Sequence, residues 1–309
     1  MTFTIGSKFE HNEYTGFEYQ PSARILWRIA DNRSLWGALS RAVRTPSRIN
    51  RDIRINAALI PPIFLDPDGL GPSPALPIDP DGSGPMIAGL PTLISIFGSD
   101  RFKTEEMLGL ELGYRAQESE HSSLELSAFY NIYDNLYTSE LGTPYVEGTP
   151  PTNLILPLYF DNQIEGESYG LELAVNWKIT PDWNLYTGYS WLKVDTRLSS
   201  SSTDTENVSA REESTPEHQF QLRSYWNVRH NLKLDIALYY SKDILVLNTP
   251  VPSHTRFDIR LGWNPTNDVE LSLIGQNIFD NLHTEFVDEQ TSSPIEVPQC
   301  VYGQIKVKF

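Results

Sequence analysis

Cysteine, basic charge and long apolar runs are what this 309-residue chain has least of. A single cysteine, Cys300, allows no internal disulfide and no multi-thiolate zinc or iron–sulfur centre. Lys and Arg number 24 against 40 Asp and Glu, and a net charge of −16 repels phosphate, which sets nucleic acid aside as a partner. No window reaches the roughly 18 consecutive apolar residues of a spanning helix, so a helical membrane protein is excluded. The start, Met1-Thr2-Phe3-Thr4-Ile5-Gly6-Ser7-Lys8, has neither the basic flank nor the apolar stretch of a secretory leader. Histidine is scarce as well. His11, His121, His218, His230, His254 and His283 show no i,i+4 pair and no companion cysteines, so their spacing suggests no metal centre, and no resident cofactor is expected. With 39% hydrophobic and 11% aromatic residues the chain still has the substance of a folded body, and soluble folds and β-barrels both stay open.

Period-2 alternation runs from end to end. Leu124, Leu126, Ala128, Tyr130 and Ile132 alternate with Glu125, Ser127, Phe129, Asn131 and Tyr133, a strand pattern rather than a helical one. The stretches 171–179, 219–228 and 232–240 behave alike. The pattern predicts twelve strands near 3–10, 17–30, 35–45, 104–116, 122–137, 166–179, 184–197, 216–229, 232–246, 252–265, 269–280 and 300–309. Most run to ten residues or more. Soluble strands average about 5–6 residues, whereas a tilted strand crossing a bilayer needs about 9–11. Connections fall into two classes: short turns at 31–33, 119–121, 180–182, 229–231 and 264–268, and long connectors at 46–103, 138–165, 198–215 and 281–298, with shorter ones at 11–16 and 247–251. Short turns at one end and long loops at the other is the layout of an outer-membrane barrel. Trp27, Trp36, Trp177, Trp183, Trp191, Trp226 and Trp263 sit near strand ends, where amphipathic rings form interfacial girdles. In the closing strand Val301, Ile305, Val307 and Phe309 share one face, opposite Gln304, Lys306 and Lys308. The expected fold is therefore all-β, a transmembrane antiparallel β-barrel occupying residues 1–309.

Several segments carry a family likeness. They are Ser34-Leu35-Trp36-Gly37-Ala38-Leu39-Ser40-Arg41-Ala42-Val43-Arg44-Thr45-Pro46-Ser47, Glu111-Leu112-Gly113-Tyr114-Arg115 with Phe129-Tyr130-Asn131, Glu167-Ser168-Tyr169-Gly170-Leu171-Glu172-Leu173, Gly275-Gln276-Asn277-Ile278-Phe279-Asp280-Asn281 and the final strand. In this order they resemble the C-terminal part of a TonB-dependent outer-membrane receptor. The resemblance implies a 22-stranded barrel closed by an N-terminal plug domain, which takes up scarce ligands such as an iron–siderophore or cobalamin through TonB, with no enzymatic step. It implies a Gram-negative outer-membrane location and, through the terminal aromatic strand of Val301, Ile305, Val307 and Phe309, recognition by the barrel assembly machinery. Leader, TonB box, plug and the earlier strands are not in this sequence. It is therefore expected to be the last twelve strands of a larger barrel, either a gene fragment or a chain with a misassigned start.

Candidate functional residues follow from faces. Arg41 and Arg44 match the family's Ser-Arg-Ala-x-Arg-x-Pro segment near the outer end of a strand and by parity lie on opposite faces, so either is a candidate for facing the lumen, the alternative being an anchor to anionic headgroups. Arg223, Lys233, Asp235, Asp258, Arg260 and Glu270 lie on polar faces and are expected to line the lumen, where the resemblance would pair them with the plug or the ligand. Gly166-Glu167-Ser168-Tyr169-Gly170 fits a hydrolase nucleophile pattern, but the alternation after it denies the helix that such an elbow needs. Asp66-Pro67-Asp68-Gly69 and Asp79-Pro80-Asp81-Gly82 read as turns rather than calcium loops. Apolar stretches at 59–65 and 90–97 suit either an outer loop that folds over a ligand or a self-packed or mobile loop. Two other readings stay open: a self-closed small pore or enzymatic barrel joining strands 3–10 and 300–309, and a soluble β-sandwich that binds carbohydrate or protein.

Overall fold

Alternating apolar and polar residues become one continuous antiparallel wall. The computed structural model describes residues 1–60, 90–246, 248–288 and 293–308. In chain order the elements are β1 (Thr2–Asn12), β2 (Gly16–Ala30), β3 (Arg33–Arg44), α1 (Arg48–Asp52), β4 (Arg54–Ile60), β5 (Thr92–Phe97), β6 (Glu105–Ser119), β7 (Ser122–Leu141), β8 (Tyr145–Glu147), β9 (Asn153–Thr180), β10 (Trp183–Leu198), α2 (Thr205–Glu213), β11 (His218–Arg229), β12 (Leu232–Ser241), β13 (Ile244–Val246), β14 (Thr249–Val251), β15 (His254–Trp263), β16 (Val269–Gln276), β17 (Leu282–Asp288), β18 (Ser293–Pro298) and β19 (Cys300–Val307). The wall runs β1-β2-β3-β6-β7-β9-β10-β11-β12-β15-β16-β19, each strand antiparallel to the next. These are the twelve strands of the alternation pattern, in sequence order. No described helix is long and apolar enough to cross a membrane.

Register makes the two faces continuous. Leu39 stands opposite Leu110, Leu112 opposite Ala128, Ala128 opposite Leu171, and Leu271 opposite Ile305, so one apolar stripe crosses strand after strand. It is not buried: Leu112 is 57% exposed, Trp177 54% and Leu273 58%. The chain exposes 20005 Å², against about 13,000 Å² for a compact globule of its mass. A β-sandwich would bury these stripes against a second layer; here they face outward, as lipid-facing side chains of a barrel do.

Three expectations change. The connector expected at 138–165 is largely strand, because β7 continues to Leu141 and β9 begins at Asn153. At 28 residues β9 is about 90 Å long, far beyond the roughly 9–11 residues of a crossing, so the β7–β9 pair rises past the wall on the long-loop side. Its change of course is marked by a register shift between Tyr133 and Leu136, with Asn135 at φ 56. The other long connectors hold their own elements: α1, β4 and β5 in the first, α2 in the third, and the β17–β18 hairpin in the fourth. β5 joins the raised part of β9 in parallel. The strand expected to reach 246 stops at Ser241, before the small β13–β14 hairpin. Finally, β1 pairs with β2 and β19 with β16, and not with each other, so the sheet is open and the self-closed small barrel is not the arrangement seen.

Two glycines on the polar face are required by close approach. The Trp36 ring lies over Gly113, where a Cβ would sit 2.1 Å from it, and the Phe129 ring lies over Gly170, where a Cβ would meet the Trp191 carbonyl oxygen at 2.3 Å. Trp36 is thus on the polar face and not in the outer girdle, whereas Trp27, Trp177, Trp226 and Trp263 share the apolar face at the short-turn end.

Candidate functional site

The polar face is concave. Glu125, Glu172, Tyr186, Gln221, Arg223 and Tyr239, from β7, β9, β10, β11 and β12, line one hollow of ≈ 620 Å³ on it. Arg223 stands in its middle, with the Tyr186 and Tyr239 ring centroids 5.8 and 5.5 Å from its guanidinium carbon. Arg256 approaches Tyr239 in the same way, at 5.8 Å. No carboxylate among the described residues forms an ion pair with Arg223, and its Nε is buried without a hydrogen-bond partner. A cation framed by rings and left without a counter-ion suits an anionic or aromatic ligand group, or an anionic side chain of a covering domain.

Lower on the same face the charges are fully paired. Lys233 donates to Glu270 at 3.0 Å, and Arg260 donates to Asp235 at 2.7 Å, to Ser272 at 2.9 Å and to Glu270. Register places these residues side by side on β12, β15 and β16, near the short turns. Two cations and two anions cancel, so this group braces three strands and leaves little charge for a ligand.

Nearer the long loops, Arg256 forks onto Asp258, with Nε at 3.0 Å and Nη2 at 2.8 Å, and Asp258 also accepts from the Asn277 backbone N–H at 3.0 Å. Asn277 is fully buried, with φ 52, and donates from its side chain to the Val297 carbonyl, which docks the β17–β18 hairpin. At the rim Glu217 accepts from Lys242 and from Lys193 (3.0 Å), tying the ends of β10, β11 and β12. Those two ammonium groups, Lys242 first, hold the Glu217 carboxyl down to about 2. Arg54 meets Glu147 through two parallel bonds of 2.7 and 2.8 Å between β4 and β8.

The expected site residues divide as follows. Arg44, Arg223, Lys233, Asp235, Asp258, Arg260 and Glu270 stand on the polar face. Arg41 does not: it opposes Leu108 on the apolar face, because it lies an odd number of residues from Arg44 on an unbroken strand. There it donates to Glu106, 2.8 Å away, and lies over the Tyr19 ring at 4.8 Å. Arg44 pairs with Glu105 at 3.0 Å and is 78% exposed at the mouth. Lys233, Asp235, Arg260 and Glu270 come together; Asp258 belongs to the upper group; Arg223 stands apart. Val301, Ile305 and Val307 line the apolar face of β19 opposite Gly275, Leu271 and Val269, while Phe309 lies outside the described residues. So do the two Asp-Pro-Asp-Gly turns and the part of the apolar stretch beyond Ile60. Gly166 to Gly170 runs through the middle of β9, with strand on both sides. Arg256 was missed, although its parity with Asp258 and Arg260 was legible. So was the Glu217 rim tie, which has no spacing signal because Lys193, Glu217 and Lys242 come from three elements.

A family model described as TonB dependent receptor-like, beta-barrel, matches residues 1–278. Among solved structures, the siderophore receptor PirA from Acinetobacter baumannii is 13% identical with TM-score 0.68, over 99% of this chain and 43% of that one. A mutant of the ferric enterobactin receptor PfeA from Pseudomonas aeruginosa gives TM-score 0.71 at 13% identity, over 99% and 42%. The ferric-catecholate import receptor Fiu from E. coli K12 gives 0.62 at 16%, over 94% and 35%. The chain thus spans less than half the length of these receptors, and at such identity the likeness is one of fold. With nearly all of its sequence matched, the chain belongs to the TonB-dependent receptor-like β-barrel family.

Proposed function

We propose that this chain forms part of the wall of an outer-membrane receptor that takes up a scarce ligand, an iron–siderophore in preference to cobalamin, with a plug domain in the lumen and energy delivered through TonB. The family match over residues 1–278 carries the reading. The names of the similar solved structures, a ferric enterobactin receptor and a ferric-catecholate importer among them, favour iron chelates over cobalamin. Arg223, framed by rings and in no ion pair among the described residues, adds chemistry that fits them, since a ferric catecholate presents flat rings and negative charge. Nothing in this role requires covalent chemistry. The wall supplies recognition, and work enters through the plug.

Ligand binding tests this. Tryptophan quenching of the purified protein in detergent should saturate with a ferric catecholate and not with cobalamin. Arg223→Ala should weaken it about tenfold, the loss of one charge-assisted contact. In iron-starved cells, uptake of labelled iron chelate by the receptor should cease without TonB. Uptake indifferent to TonB, or saturable binding of cobalamin alone, would contradict the proposal.

A further inference from the structure

We infer that His254, His283 and Glu285 form a divalent transition-metal site that pins the β17–β18 hairpin to the outer end of the wall. His254 is the first residue of β15, and the other two lie on β17. One ligand atom from each lies within 4.8 Å of the others.

The case rests on donors and lone pairs. His283 is nearly enclosed, its side chain 8% exposed, with a carboxylate at each ring nitrogen: Asp280 lies 3.2 Å from Nδ1 and Glu285 lies 3.0 Å from Nε2. A neutral imidazole has one N–H, so in either tautomer one of these carboxylates faces a nitrogen lone pair. The Asn277 side-chain N–H group, which can only donate, lies 3.1 Å from Nδ1, so without an ion the ring proton sits on Nε2 towards Glu285, and Asp280 is the carboxylate left facing a lone pair. A cation that replaces the Nε2 proton between His283 and Glu285, with that proton moved to Nδ1 towards Asp280 and the Asn277 side chain left donating to the Val297 carbonyl, satisfies both carboxylates. That carboxylate–histidine–metal order is how ligating histidines are commonly oriented. The third donor is already prepared. His254 Nδ1 lies 3.3 Å from the Pro252 carbonyl, which can only accept, so its proton sits on Nδ1 and the Nε2 lone pair is free.

The two imidazole rings stack at 4.6 Å with planes 21° apart, so His254 must turn out of the stack to aim at a shared ion. Tetrahedral ligation, with bonds of about 2.0–2.1 Å, places donors about 3.3 Å apart, a closure of roughly 1.5 Å from the present spread. A small approach of the hairpin supplies it. Among the described residues the cation facing the cluster is Arg256, 3.7 Å from Glu285, and its charge is matched by Asp258. Glu285 and Asp280 are then left to balance a doubly charged ion. Two nitrogens and one carboxylate favour zinc, cobalt, nickel or copper over calcium and magnesium, which prefer all-oxygen sets.

The 309-residue chain, refolded in detergent micelles, is titrated with Zn²⁺ by calorimetry and with Co²⁺ by visible absorption at pH 7.5. One ion per chain and a tetrahedral Co²⁺ spectrum are expected. His254→Ala and His283→Ala should each weaken binding tenfold or more, and Asp280→Asn about tenfold. His121→Ala and His230→Ala, at the short-turn end, should leave it unchanged. Should an alanine variant lose its β circular dichroism, His254→Gln and Glu285→Gln keep the side-chain bulk and are read instead. Failure to take up metal at pH 7.5, which means that a proton alone fills the gap, overturns the inference. So does unchanged affinity in folded His254→Gln.

Discussion

Glu217 shows how a single rim residue sets a response to pH. Its carboxyl titrates near 2, below its ordinary value of 4.5, because Lys242 and Lys193 both donate to it. A lowered carboxyl contributes stability that is fully present above its ordinary range and is lost as pH falls through the folded value. The tie between β10, β11 and β12 should therefore hold at pH 4.5 and fade towards pH 2. Glu217→Gln should remove that part of the acid sensitivity, read as melting temperature against pH in detergent. The glycine contacts give a second test at this scale. Gly113→Ala places a Cβ 2.1 Å from the Trp36 ring and should destabilise by about 1–3 kcal/mol, as overpacking does. Adding Trp36→Ala should recover part of the loss, so a double-mutant cycle with no coupling would refute the contact. Parity made much of this scale legible: Arg223, Lys233, Asp235, Arg260 and Glu270 could all be assigned to the polar face by counting alternate residues. Which of them lacked a counter-ion could not. That depends on which neighbour stands opposite, which is a property of register.

Among elements, the β12-β15-β16 group is braced by charge and the β7–β9 pair by length. Arg260 contacts Asp235, Glu270 and Ser272 on two other strands, so Arg260→Ala leaves two half-buried carboxylates to the single cation of Lys233. A loss of about 1–2 kcal/mol is expected, against less than about 0.5 kcal/mol for Arg44→Ala, whose partner Glu105 keeps the Tyr137 backbone N–H. Urea unfolding in detergent ranks the two, and equal effects would show that the network adds nothing beyond isolated pairs. The extended reach of β7 and β9 was hidden in the sequence. Residues 138–165 include Gly142, Pro144, Pro150, Pro151 and Pro157, which punctuate the pattern and read as loop. Tertiary context overrides that signal, for β5 and β8 supply backbone partners to the same stretch of β9.

At the scale of the whole molecule the described wall is one curved sheet with an apolar outside, a polar inside and two free edges, β1 and β19. In brominated lipid, a variant retaining Trp177 as its only tryptophan should be quenched strongly, and one retaining Trp36 weakly, since the two rings stand on opposite faces. Similar quenching of both would refute the assignment of faces. Amide exchange should be fastest along β1 and β19, each with a neighbour on one side only, and slowest at the membrane level of β9 and β10.

The twelve strands of the wall, their order and the barrel class were determined by the sequence alone, because a period of two over ten residues or more leaves one way to separate lipid from water. The tertiary structure decided what depends on distant residues becoming neighbours. It put Arg41 on the outer face, paired Lys233 with Glu270, left Arg223 among rings with no ion pair among the described residues, and stacked His254 on His283 across 29 residues of chain. Alternation assigns each side chain a face, but only pairing between strands and the docking of loops assigns it a partner.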